Sequence, residues 1–513
     1  MTRQSPLLVL RADAGSTMGA GHVMRCLALA QAWRDHGGEA VFVGTLNAGA
    51  LQARIEGEGA AVFTLPARHP DRDDLATLLP WLHARRDRAG WLVVDGYHFD
   101  PAYHQALRGT GWPLLIIDDS GHLPAYHADV VVNPNAYAGE ISYLADAETL
   151  LLRGTRFALL RREFRRAIET SASPARSSEP QPGGRILVTM GGADPDNVSA
   201  KVIDTLAALA RPGLEIKIIA GALNPHRHAL AEQLRQLGLQ AELVPPVADM
   251  TPLMAWADLA ISAAGSTCWE LAALGVAMVV TVVADNQERV ASSLAGHGAA
   301  INLGWFHGWQ PKETAKIVNH LLDNSTERQA MGQRGHRLVD GQGCERLLRA
   351  MRGCHFSLRP ATADDCEIVF RWANDPTTRA ISFSPAAIPW EEHRRWFFAR
   401  LADPGHLFAM AITPDGEPMA QARFALDGSG AAVISVSLAP EFRGVGLGSR
   451  LIRRACEEAS TGLRVREIRA RIKPGNSASL HAFGQAGFQH RGVVEVLGQP
   501  AVAMEYCPQG IHP

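Results

Sequence analysis

Two glycine turns of different pattern, one near each end of the chain, constrain what this sequence can fold into more than any other feature. After the apolar run 7–10 comes Gly19-Ala20-Gly21-His22-Val23-Met24-Arg25, followed by a helix-like stretch over 26–33. After the β-rich run 433–438 comes Arg443-Gly444-Val445-Gly446-Leu447-Gly448-Ser449, leading into a helix-like stretch over 450–459. Each reads as strand, glycine turn, helix start. That order aims backbone N–H groups and the positive end of a helix dipole at an anion. A chain that builds the device twice is expected to handle two phosphate-bearing ligands.

Hydrophobic periodicity places these turns in different fold classes. Over 5–165, continuous Val/Ile/Leu runs at 7–10, 41–43, 91–94, 114–117 and 130–132 alternate with helical stretches. This is the signature of a parallel sheet buried on both faces. Polar residues follow several runs at once (Asp95, Asp118-Asp119, Asn133), where such sheets place ligands. The Pro/Ser/Gly-rich stretch 171–184 reads as a linker. Alternation restarts with runs at 185–189, 215–219, 242–244, 259–262 and 278–283. After Arg352-Gly353 the order becomes a Trp/Arg-rich helix, consecutive strands (407–412, 419–426, 431–438) and the second glycine turn, which is α+β. The expected organisation is an α/β chain of two Rossmann-like doubly wound domains, 1–170 with a catalytic His and 185–350 binding a nucleotide, followed by an α+β domain over 355–513. A length of 513 residues suits about three domains.

The net charge of −2 gives no electrostatic footprint for nucleic acid or an anionic membrane. No apolar run of about 18 residues appears and the start is too short for a signal peptide, so no membrane partner is expected. Seven scattered cysteines, none in a C-x-x-C pair, read as reduced thiols. The expected compartment is the cytoplasm.

His22 follows a strand and a glycine turn, so it belongs at the top of the first sheet, at a helix N-terminus that disfavours imidazolium. That is the setting of a general base. Asp13 can orient the imidazole or cap the loop through Ser16 and Thr17. Arg25, one turn along, can bind substrate or pair with a strand-end carboxylate. In the second domain, Gly191-Gly192 after a strand permits close approach of a phosphate. Gly265-Ser266-Thr267 again runs from strand to helix, with hydroxyl and N–H groups for a diphosphate. Glu270, in the first turns of that helix, can accept hydrogen bonds from ribose hydroxyls or cap the helix. Asn286-Gln287 lie past the next strand. Asp194 and Asp196 suit a turn better than a metal pair, and no metal ligand set is assigned.

These residues carry a resemblance. Two α/β units with His in the first and Gly-Ser-Thr-x-x-Glu in the second resemble the GT-B glycosyltransferase fold. More narrowly, Arg11-x-Asp13, Gly19-x-Gly21-His22-x-x-Arg25, Asp95-x-Tyr97, Ile117-Asp118-Asp119, Asn133-Pro134-Asn135, Leu159-Leu160-Arg161-x-Glu163-Phe164 and Asn286-Gln287 resemble the UDP-sugar hydrolases of the pseudaminic acid pathway, over about the first 345 residues. The resemblance implies metal-free, inverting hydrolysis of UDP-2,4-diacetamido-2,4,6-trideoxy-β-L-altropyranose. His22 would activate water, with Asp13, Arg25, Tyr97 and Asn286 on the sugar. UDP would lie on Gly191, Gly192, Gly265, Ser266, Thr267 and Glu270.

The second turn, Arg443-x-x-Gly446-x-Gly448, with Asn476-Ser477-Ala478-Ser479 and Gly487-Phe488 downstream, resembles the GNAT superfamily of N-acetyltransferases. This implies acetyl-CoA as co-substrate, held by Leu438, Arg443, Gly444, Gly446, Gly448, Ser449 and Asn476. The run 434–438 would pair with the amide arm through its backbone. Phe483 stands where many of these enzymes carry a tyrosine that protonates the departing thiolate, leaving water, His481 or unassisted departure. The segments 371–376 and 392–397 resemble the acceptor side of the amino-sugar acetyltransferase of the same pathway, which implies acetylation of a 4-amino group on a UDP-linked sugar. Two alternatives stand beside this reading: a GT-B glycosyltransferase with an attached acetyltransferase, and an acetyltransferase domain reduced to sensing acetyl-CoA.

Overall fold

The computed structural model describes residues 5–15, 19–46, 49–170, 184–221 and 224–508. The stretch read as a linker lies outside these residues except for Gly184, as do Ser16 and Thr17. The chain divides into two compact units, 1–345 and 346–513.

The first unit holds two parallel sheets. One comprises β1 (Leu7–Ala12), β2 (Glu39–Gly44), β3 (Ala61–Thr64), β4 (Ala89–Asp95), β5 (Leu114–Ile117), β6 (Val130–Asn133) and β7 (Leu150–Arg153), in the order β3-β2-β1-β4-β5-β6-β7. The chain winds outward from β1 to β3, then returns to β4 on the other side of β1. The strand order therefore reverses between β1 and β4, where the loops at their C-terminal ends part to leave a crevice. The second comprises β8 (Arg185–Thr189), β9 (Glu215–Ile219), β10 (Glu242–Val244), β11 (Leu259–Ala263), β12 (Ala277–Val282) and β13 (Ala300–Trp305), ordered β10-β9-β8-β11-β12-β13 and reversing between β8 and β11. Central strands are sealed on both faces: Leu8, Val9 and Leu10, like Ile186, Leu187 and Val188, have no accessible surface. That is why they read as unbroken apolar runs.

Three strands of this unit are absent from the apolar-run reading. β3, β7 and β13 are sheet edges, and each is only partly covered.

The second unit is one mixed sheet. Its strands are β14 (Ser357–Pro360), β15 (His406–Ile412), β16 (Pro418–Leu426), β17 (Ala432–Leu438), β18 (Ile468–Ile472), β19 (Gln489–Val496) and β20 (Gln499–Tyr506), ordered β14-β15-β16-β17-β18-β20-β19. Every neighbouring pair is antiparallel except β17 with β18. The helix Leu447–Gly462 packs Ile452, Ala455, Cys456 and Ala459 against Ala422, Phe424 and Ile434 of the sheet. The fold class is the expected one: Rossmann-like parallel domains followed by an α+β domain.

Candidate active sites

The first site forms where β1 and β4 diverge. The helix Gly21–Asp35 begins immediately after the glycine turn and presents His22 at its N-terminus. His22 Nδ1 lies 2.6 Å from Asp95 Oδ1, at the end of β4. Burial works to raise the Asp95 carboxyl, but Arg25 and His22 outweigh it and hold it well below the usual carboxylate range. An ionised carboxylate can only accept, so His22 Nδ1 carries a hydrogen toward it. The 3.3 Å approach of Arg25 Nη2 to Nδ1 is then a contact between two donors rather than a hydrogen bond.

Arg25 is the centre of the site. Its Nε and Nη2 grip Asp95 at 2.6 and 2.7 Å, and its Nη1 reaches both oxygens of Asp119 at 2.8 Å. One of the two roles read for Arg25, the ion pair with strand-end carboxylates, is present. Burial alone would lower its pKa, but Asp119 and Asp95 raise it well above the ordinary value. Asp119 also accepts from Tyr97 OH at 2.7 Å and from Asn135 Nδ2 at 2.7 Å. The Tyr97 ring meets His22 edge-on at 4.9 Å, and its hydroxyl receives Asn286 Nδ2 at 3.3 Å from beyond β12. Burial, and then Asp119, push the Tyr97 phenol up, so it stays protonated and donates. His22, Arg25, Tyr97 and Asn286 thus meet in one network that crosses between the two sheets.

Asp13 is not part of it, which corrects one expectation. Its carboxylate accepts from Thr45 N and Oγ1 at 2.6 and 3.0 Å and pairs with Arg11 Nη1 at 2.8 Å. His98 Nε2 approaches its other oxygen at 2.8 Å. With both oxygens engaged, Asp13 orients His98; the carboxylate that orients His22 is Asp95. Proximity in sequence misled here because β4 is the spatial neighbour of β1. Asp95 and Asp119 are legible as acids ending apolar runs, whereas Asn135 and its partner Trp269 (Nε1 to Oδ1, 3.2 Å) carry no local signal of a shared site.

The second cluster sits at the C-terminal ends of β8 and β11. Gly191 has φ +85°, a conformation that disfavours side chains, and Gly221 approaches so closely that a Cβ would lie 2.3 Å from Gly192 O. Asp194 accepts from Val198 N and Ser199 N at 2.8 and 3.1 Å, which ties it to the first turn of the helix Val198–Ala207, whose N-cap is Asn197. Ser266 is the N-cap of the helix Thr267–Ala273 and has no side-chain capping bond, so neither its hydroxyl nor Glu270 closes the helix end. Glu270 Oε1 receives Arg161 Nη2 at 2.9 Å; burial pushes its carboxyl up in spite of Arg161.

In the second unit, β17 pairs with β16 along its whole length but with β18 only at Ala432 and Val433. Beyond that point β17 and β18 splay, and one backbone edge of 434–438 has no strand partner. The turn that follows has Gly444 at φ +69° and Gly446 at φ +81°, with Val445 buried between them as an anchor. The helix Leu447–Gly462 starts there without a side-chain cap or an acidic residue in its first turn, leaving its N–H groups and dipole for an anion. Gly448 and Ser449 lie in that first turn. The Arg443 side chain is turned inward: Nε donates to Leu438 O at 3.0 Å, Nη1 to Asp375 at 2.6 Å and Nη2 to Thr378 at 3.0 Å. Asn476 caps the helix Ser477–Gln485 through Ser479 N at 3.1 Å. Phe483 is 4 % exposed and packs edge-on against Phe488 at 4.9 Å, so this position offers no proton. His481 is exposed.

Comparison with known proteins assigns both kinds of domain. Residues 185–341 match the Glycosyltransferase family 28 C-terminal domain, and residues 355–489 match the Acetyltransferase (GNAT) domain. An uncharacterised protein of Methanocaldococcus jannaschii is 21% identical over 76% of this chain and 77% of its own length. The spore coat polysaccharide biosynthesis protein SpsG of Bacillus subtilis is 31% identical over 32% of this chain; the chain spans only 48% of that relative. The solved structure of Acinetobacter baumannii MurG is 17% identical, covers 67% of this chain and 99% of its own, and superposes with a TM-score of 0.49. By its family matches the chain joins a glycosyltransferase-28-like domain to a GNAT acetyltransferase domain.

Proposed function

We propose that the chain is a bifunctional enzyme of nonulosonate (pseudaminic acid) biosynthesis. Its first unit would hydrolyse UDP-2,4-diacetamido-2,4,6-trideoxy-β-L-altropyranose to UDP and free sugar, with inversion. Its second would transfer acetyl from acetyl-CoA to the 4-amino group of the precursor UDP-amino sugar. The observation that carries the first half is the His22–Asp95 pair at 2.6 Å, at the start of the helix that follows the first glycine turn. In that reading Nε2 takes a proton from water as the water oxygen bonds to the anomeric carbon. The bond from that carbon to the phosphate oxygen breaks, and its electron pair leaves on UDP. UDP is already a good leaving group, and the helix start at Ser266 and Thr267 offers N–H and hydroxyl groups where its charge grows. Tyr97 and Asn286 hold the sugar and Glu270 the ribose.

In the second unit the acceptor nitrogen attacks the thioester carbonyl. The C–N bond forms, the C–S bond breaks, and the proton lost by nitrogen ends on sulfur. Because Phe483 supplies none, the proton passes through solvent. The open edge of 434–438 and the turn at Gly444 to Ser449 support acetyl-CoA as donor, and the polysaccharide-biosynthesis name of the Bacillus relative supports a sugar-nucleotide setting.

A second reading, glycosyl transfer to a sugar acceptor, is favoured by the glycosyltransferase match of 185–341. Following UDP release from the diacetamido sugar nucleotide with no acceptor added separates the two: hydrolysis proceeds at full rate, whereas transfer stalls.

A further inference from the structure

The Tyr97 ring has a second histidine beside it, His122, to which the hydrolytic reading gives no part. The sequence after β5, Asp118-Asp119-Ser120-Gly121-His122, fixes its place. Asp118 Oδ1 accepts from Ser120 N and Gly121 N at 2.9 and 2.6 Å, and Gly121 turns the chain at φ +65°. The tight turn returns His122 to the carboxylate that starts it. His122 Nδ1 lies 3.2 Å from Asp118 Oδ2 and 3.3 Å from Ser120 Oγ. The side chain keeps 32 % of its surface exposed, so solvent protons reach it.

The groups around the ring decide its charge. Asp118 also accepts from Tyr126 OH and Tyr143 OH, both at 2.8 Å. Burial works to raise its carboxyl, but the bonds from His122, Gly121 N and the two phenols outweigh it and hold it below the usual range. Burial, and then Asp118, push both phenols up, so they stay protonated. His104, on the helix Pro101–Arg108, has its pKa pushed down to about 4 and adds no charge at neutral pH. Asp119 is already engaged by Arg25, Tyr97 and Asn135. Asp118 is thus the anion that faces His122, and its bond pushes the imidazole pKa up against partial burial.

His122 also reaches the end of β4. Its ring meets Tyr97 edge-on, with centroids 5.9 Å apart and planes at 80°, and the Tyr97 backbone favours the protonated imidazole. The same Tyr97 ring meets His22 at 4.9 Å. Two acceptors, the Asp118 carboxylate and the Tyr97 backbone, therefore face an imidazole that carries one N–H when neutral and two when charged. Only the charged ring serves both.

We infer that His122 in its charged form is a positioning residue that holds Tyr97 against His22 by tying the end of β4 to Asp118. This rests on the reading of Tyr97 as a residue that holds the sugar, and it adds a limit on the alkaline side. The folded pKa is raised, so the tie is complete below the ordinary histidine value of about 6.5 and is lost as pH rises through the raised one.

The test follows two readouts against pH in the full chain. In NMR of histidine- and tyrosine-labelled protein, the imidazole signal missing from His122→Gln should titrate above about pH 6.5. The ring signal missing from Tyr97→Phe should shift with the same midpoint in wild type and stay still in His122→Gln. In steady-state hydrolysis of the diacetamido sugar nucleotide, kcat/KM for UDP release should fall about ten-fold through that midpoint, mostly in KM, as for loss of one hydrogen bond. Glutamine keeps one donor and never charges, so His122→Gln should lack this limb and sit at the reduced value throughout. A His122 signal that titrates at or below about 6.5, a Tyr97 signal that ignores it, or an alkaline limb that survives His122→Gln would overturn the inference. Absence of UDP release at every pH would refute the hydrolytic reading, while the paired NMR titrations would still decide whether His122 holds Tyr97.

Discussion

Replacing Asp95 by Asn removes one charge and leaves the shape. Asp95 Oδ1 receives His22 Nδ1 at 2.6 Å and Arg25 Nη2 at 2.7 Å, while Oδ2 receives Arg25 Nε at 2.6 Å. An amide has one acceptor to offer four donors, since Cys26 Sγ also reaches Oδ2 at 3.7 Å. If its oxygen faces His22, its NH2 is driven against Arg25 Nε. If it flips, the NH2 faces His22 Nδ1, the imidazole moves its hydrogen to Nε2, and the base is lost. A histidine forced into the wrong tautomer loses up to about 10⁴-fold in rate in the serine-protease triad, and general-base catalysis is worth about 10²–10⁴-fold. We expect a fall of about 10³-fold in kcat for UDP release. Breaking a buried ion pair costs about 3–5 kcal/mol, and because Arg25 keeps Asp119 at 2.8 Å the loss here should be nearer about 2–3 kcal/mol. Calorimetric UDP affinity, set by the second sheet, should be nearly unchanged. A folded Asp95→Asn protein with kcat within about three-fold of wild type would refute the role given to Asp95.

Other consequences are equally direct. Glu270→Ala should weaken UDP binding by about 1.5–3 kcal/mol in calorimetry, because bonds to a charged group are lost and Arg161 loses one of its two carboxylates. Gly446→Glu should abolish acetyl-CoA binding, since it places a side chain at φ +81° and a negative charge in the anion turn. His104, 1 % exposed, has its pKa pushed down to about 4 chiefly by burial. The unfolded chain binds the proton first, so this residue's contribution is fully present above about pH 6.5 and is lost as pH falls to about 4, a change on the order of 3 kcal/mol. His104→Leu should flatten urea stability across that window.

Much of the site was legible in the sequence because each element ends where a ligand is expected. His22 follows a glycine turn, Asp95 and Asp119 end apolar runs, and Gly446 opens a helix. Less legible was which of these side chains meet. The parallel order puts β4, not the loop next in sequence, against β1, so Asp95 takes the place given to Asp13. The Trp269–Asn135 bond and the Arg161–Glu270 pair join residues more than a hundred positions apart, which no local pattern encodes. The inward-turned Arg443 was hidden likewise, because its partners Asp375 and Thr378 lie on a distant helix start.

In the proposed function one chain acetylates a UDP-amino sugar and then releases UDP from the product to water. Incubating the full chain with acetyl-CoA and UDP-2-acetamido-4-amino-2,4,6-trideoxy-β-L-altropyranose, while following coenzyme A and UDP separately and the sugar anomer by NMR, tests it in one reaction. Coenzyme A should be released first, UDP should lag behind it, and free sugar should first appear as the inverted anomer. Release of UDP only after a sugar acceptor is added, or no coenzyme A release at all, would contradict it.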